Sequence, residues 1–106
     1  MLTPEQQERF ARHLLLDELD QDKLMAASVH VRGTGRAALW AARYLAASGC
    51  GRVVVDEPAW HDELRRLGPW TDLSGAVEME IAVAASAGAV EGAQAALDAI
   101  REVQAR

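Results

Sequence analysis

Chemistry in this chain centres on two glycines and one carboxylate. Gly33 and Gly35 stand two apart with Arg36, Ala37 and Ala38 behind them, giving G-x-G-x-x-A, and Asp56 follows Gly33 by 23 positions. Glycines at that spacing permit a tight turn and close approach of backbone N–H groups to a phosphate at a helix start. An acidic residue at that distance is placed to accept from a ribose hydroxyl. The set could hold an adenine nucleotide; the alternative is a turn whose glycines serve backbone geometry alone. Other reactive types are scattered. Cys50, between Gly49 and Gly51, reads as a small buried filler rather than a nucleophile. His61, Asp62 and Glu63 form a polar helix start, since an acid–base site needs a third placed group. His13 and His30 have no partner at metal-ligand spacing, so no metal is assigned, and no catalytic residue either.

The elements that must position these residues are legible around them. Val29 and Val31 alternate with His30 and Arg32, the period of a strand. After the glycine turn, Leu39, Ala42, Leu45 and Ala46 recur at helical spacing, and Gly49 suits a left-handed cap. Arg52 leads into Val53-Val54-Val55 and then Asp56, so residues 28–56 read as one βαβ unit. Upstream, Thr3, Pro4 and Gln6 open an amphipathic helix over 3–16 with a capping box; its stripe is Phe10, Leu14 and Leu15, flanked by Arg9, Arg12 and His13. Residues 17–27 read as a connection with a helical turn packing Leu24 and Met25. Downstream, WHDELRRL (60–67) suits a short helix ended by Gly68-Pro69, with Trp60, Leu64 and Leu67 as its apolar side. Residues 77–83 alternate Val77, Met79, Ile81 and Val83 against Glu78 and Glu80, a strand with one charged face. Residues 89–104 form an alanine-rich helix carrying Val90, Leu97, Ile100 and Val103. Trp40, Trp60 and Trp70 read as core or interface anchors.

Composition narrows the function classes. The 106 residues suit one small domain, with 50% apolar content inflated by alanine. A net charge of −5 without basic runs argues against nucleic acid as a partner. One cysteine excludes an internal disulfide and a cysteine-based zinc site. No apolar run reaches spanning length and the start is not a signal peptide, so no membrane partner is expected and a cytoplasmic location is the default. Burying His30, Arg32, Glu78 and Glu80 unpaired would cost several kcal/mol each. Either one sheet face is wet, then, or these charges meet across strands or across a dimer. The expected fold is α/β, a reduced Rossmann-like sheet of about three mainly parallel strands with helices mostly on one face.

Three stretches resemble the ThiF/MoeB/HesA proteins, bacterial relatives of ubiquitin-activating E1 enzymes: LTPEQQERFARHLLL, VHVRGTGRAALWAARYLAASGCGRVVVD and ELRRLGP. GAQAALDAIREV (92–103) is similar to the last helix of that family's core domain. The family adenylates the C-terminal glycine of a ubiquitin-fold sulfur carrier with ATP and magnesium, usually as a homodimer. The resemblance implies one E1-type domain over 1–106, with a helical arm (1–27) and an α/β core (28–106). It implies that Arg12 reaches toward a neighbour's nucleotide. It also implies a nucleotide site of Gly33, Gly35, Arg36, Asp56 and Arg12, with ATP as the candidate cofactor.

The departures bear equally on function. The family pattern is G-x-G-G-x-G, and here Arg36 and Ala38 replace two glycines. An arginine there could pair with phosphate or block it. Glu57-Pro58-Ala59-Trp60-His61-Asp62 stands where the family carries its ATP-handling loop. The catalytic lysine, magnesium aspartate, thiol nucleophile and zinc cysteines have no counterparts; they would fall near residues 83–86. The expectation is a shortened, non-catalytic binding or assembly module, homodimeric, with a partner protein such as a ubiquitin-fold carrier. The alternative is a minimal ATP-binding adenylyltransferase.

Overall fold

The computed structural model describes residues 21–84 and 86–105. The predicted helix over 3–16, its capping box and Arg12 lie outside the described residues. In chain order the elements are α1 (Gln21–Met25), β1 (Ser28–Arg32), α2 (Arg36–Ser48), β2 (Arg52–Val55), a 3-10 turn (Pro58–Trp60), α3 (His61–Leu67), β3 (Met79–Ala82) and α4 (Ala89–Ala105). The three strands form one parallel sheet in the order β2-β1-β3. Among the described residues this is an α/β fold of four helices and an all-parallel three-stranded sheet, consistent with a Rossmann-like architecture.

Register explains the two faces. Val53, Val29 and Met79 form one cross-sheet row, and Val55, Val31 and Ile81 the next. Most of these join the buried core, together with Leu24 of α1, Ala38, Ala42 and Leu45 of α2, Leu64 of α3, and Ala96 and Ile100 of α4. All four helices therefore contribute to the cluster that covers one sheet face. The other face carries the row Val54, His30, Glu80. Here the predicted charges do meet across strands: His30 Nδ1 and Arg32 Nε each lie 3.4 Å from Glu80 Oε1. Exposed pairs of this sort contribute at most about 1 kcal/mol, so they tolerate the polar face rather than drive folding.

Helix α2 is bounded as its sequence suggests. Gly35 precedes it in extended conformation, and Gly49 closes it at φ +95°, where L side chains rarely sit. The Gly49 N–H returns to Ala46 O and the Cys50 N–H to Leu45 O, satisfying carbonyls of the last turn. Small residues then let α2 and α4 touch backbone to backbone: a Cβ on Gly92 would lie 2.1 Å from the Ala37 carbonyl oxygen.

Several expectations are corrected. Met25 points outward (64% exposed) while Leu24 alone is buried, because a five-residue helix has one inward face. Helix α3 begins at His61 rather than Trp60, since Pro58 and the Glu57 cap set a 3-10 turn first. Leu67 and Val90 are exposed. Trp70 is 91% exposed and no core anchor, lifted away by the turn that follows α3. Val54 is only half-buried, so β2 alternates in burial like β1 despite its unbroken run of three valines. The β3 ladder covers Met79–Ala82, shorter than the predicted 77–83; ahead of it the Glu78 N–H donates to Ser28 Oγ at 2.9 Å.

Candidate functional site

The predicted turn residues meet at the ends of β1 and β2. These parallel strands run side by side, so the chain leaves both at the same end of the sheet, bringing Gly33 beside Asp56. Gly33 has φ +106°, a left-handed conformation that favours glycine, whereas Gly35 at φ −82°, ψ 179° makes no such demand. The Gly33 N–H donates to Asp56 Oδ2 at 2.8 Å. Asp56 Oδ1 lies 2.7 Å from His30 Nε2. One carboxylate thus ties the turn to β1 with both of its oxygens.

The electrostatics follow from those contacts. The Gly33 N–H bond, then the His30 bond, holds the Asp56 carboxyl below the usual carboxylate range, with the charges of His30 and Arg32 adding to the effect. His30 in turn stands between Asp56 and Glu80, one ring nitrogen toward each. A neutral imidazole has one N–H and donates to only one of these carboxylates; the imidazolium donates to both. The result is a continuous polar chain Gly33–Asp56–His30–Glu80–Arg32 across the end of the sheet.

The fit of a nucleotide can be judged at this chain. Asp56, the carboxylate that faces a ribose hydroxyl in such units, is already bonded to the Gly33 N–H and to His30. Glu57, next along, caps the 3-10 turn by accepting from Ala59 N–H at 3.1 Å. Arg36 opens α2 with an exposed side chain. A ribose hydroxyl at this turn would have to share Asp56 with the Gly33 N–H and His30.

The other sequence candidates separate. Glu63 pairs with Arg43 at 2.7 Å, and that guanidinium lies 4.9 Å from the Trp40 ring centre. Asp62 pairs with Arg65 at 3.3 Å. The His61-Asp62-Glu63 run is therefore a helix start whose two acids face two different arginines. Cys50 is fully buried, and loss of solvent pushes its thiol up to about 11. Among the described residues no group of histidine, cysteine and carboxylate side chains is arranged to hold a metal ion. None of their helices is long and apolar enough to cross a membrane.

The role of His30 was not assigned from sequence. Its strand position is legible, as is its place on the face opposite Val29 and Val31. The βαβ unit puts Asp56 beside the Gly33 turn, but only the β1–β2 register brings it to 2.7 Å from His30. Comparison with protein-family models, curated proteins and solved structures finds no match to this chain.

Proposed function

We propose that this chain is a non-catalytic binding or assembly module on a reduced E1-type domain, in which a nucleotide-type turn has become a structural clasp. The observation that carries the reading is the 2.8 Å bond from Gly33 N–H to Asp56 Oδ2. The carboxylate that would serve a ribose hydroxyl serves the turn and His30 instead. The sequence of residues 57–62 supports the same reading, because it carries none of the groups that handle ATP in the proteins it resembles. The partner it suggests is a protein, such as a ubiquitin-fold carrier, or a second copy of the chain.

The competing reading is a minimal adenylyltransferase using Gly33, Gly35, Arg36, Asp56 and Arg12. The left-handed Gly33 turn before a thirteen-residue helix favours it. Two measurements on the purified protein separate them: ATP–pyrophosphate exchange, and calorimetric titration with ATP, AMP and NAD. The module reading expects no exchange and no saturable heat. Exchange, or micromolar ATP binding abolished by Asp56→Ala, would overturn it.

A further inference from the structure

The two edges of the sheet are finished differently. Outside β2, the Val53 N–H donates to Asp72 O at 2.8 Å and the Asp72 N–H to Gly51 O at 2.9 Å, so a loop closes part of that edge. Outside β3, no strand follows among the described residues. Which groups β3 leaves there is fixed by register. The Arg52 N–H donates to Ala27 O at 3.0 Å, which turns the odd residues of β1 toward β2 and the even ones toward β3. Met79 and Ile81 then bond inward to β1, and Glu80 and Ala82 present N–H and C=O at the edge that no described strand covers. Such an edge is a template for another strand.

We propose that this edge pairs antiparallel with the same edge of a second copy, about a two-fold axis between the two Ile81 residues. The two three-stranded sheets then become one continuous sheet. This proposal rests on the assembly reading above and names its surface.

Charge and side-chain pattern select both the occupant and the register. With the axis at Ile81, Glu80 faces Ala82 of the second copy and Ala82 faces its Glu80, two hydrogen-bonded pairs that use every outward group of the strand. On the helix-covered face Ile81 meets Ile81, and Met79 meets Val83, an apolar row of half-buried and buried residues. Moving the axis to Glu80 sets two Glu80 carboxylates opposite each other, and moving it to Met79 sets Glu78 against Glu80; like charges in direct opposition are destabilising. Moving it to Ala82 leaves Ala82 against Ala82 as the one pair within the strand. Only the Ile81 axis keeps all four outward groups bonded with no carboxylates opposed.

Equilibrium sedimentation of the full chain tests the association, with twice 11.5 kDa expected for the wild type. Ala82→Pro removes one outward N–H and no inward one, so it should give 11.5 kDa with an unchanged circular-dichroism spectrum. Ile81→Cys should form a disulfide-linked dimer under oxidised glutathione, because directly opposed residues of a non-bonded pair sit about 4.5 Å apart at Cα, within disulfide reach. Glu80→Cys, which would face Ala82, should not cross-link. A monomeric wild type overturns the proposal. So does a dimer that survives Ala82→Pro and leaves Ile81→Cys uncrosslinked; the assembly reading then stands on another surface. ATP–pyrophosphate exchange would instead remove the assembly reading, whatever the mass.

Discussion

Asp56 shows how one side chain can hold a turn shut. Its oxygens accept from Gly33 N–H and bond to His30, contacts that favour the ionised form. The folded-state value therefore lies below the unfolded one, near 3.9. The sign follows by linkage: the contribution is fully present above about pH 4 and is lost as pH falls through the lower native value. Asp56→Asn keeps one acceptor but no charge. In urea unfolding, wild type should exceed Asp56→Asn in midpoint at pH 5–7, with the gap narrowing steadily below about pH 4. A gap that does not change with pH would mean that the charge contributes nothing and the clasp is held by geometry alone.

Between elements, α2 and α4 meet backbone to backbone, where Gly92 lies against the Ala37 carbonyl. A methyl group there would sit 2.1 Å from that oxygen, and the obstacle is backbone, which cannot rotate aside. Gly92→Ala should therefore destabilise by about 1–3 kcal/mol, the usual cost of overpacking, despite the better helix propensity of alanine. Thermal unfolding measures it, and a neutral or raised midpoint would show that the helices separate freely. Gly92 also marks the limit of what the chain discloses by pattern. The valine alternation gave β1, the glycine-bounded alanine run gave α2, and the Gly33–Asp56 spacing gave the turn, because each is a local regularity. The contact of Gly92 with Ala37, the pairing of His30 with two carboxylates, and the outward turn of Met25, Leu67, Trp70 and Val90 depend on which elements become neighbours. A period of 3.6 marks an apolar stripe but not whether a neighbour covers it, so Val90 reads like Ile100 until α4 is placed.

For the whole molecule, the question is whether so small and alanine-rich a core unfolds as one unit. Each alanine buries little area, and among the described residues the large fully buried side chains are few: Leu24, Leu45, Leu64, Ile100, three valines and Cys50. Cys50 lies where α1, β1, α2 and β2 converge. Its neighbour Gly51 runs so close to α1 that a Cβ would lie 1.9 Å from the Met25 carbonyl oxygen. Its thiol is fully buried and pushed up to about 11 by loss of solvent, so thiolate chemistry requires water to reach it. If α1 is an integral wall of the core, exposing Cys50 means unfolding the domain. Labelling by a disulfide reagent at pH 8 should then be slowed at least about a thousandfold relative to the urea-unfolded chain, the factor set by a stability of about 5 kcal/mol. The labelling free energy should fall with urea along the same slope as global unfolding by circular dichroism. Rapid labelling with a shallow urea dependence would instead show α1 lifting from the sheet on its own, leaving a smaller cooperative unit of β1, α2, β2 and α4.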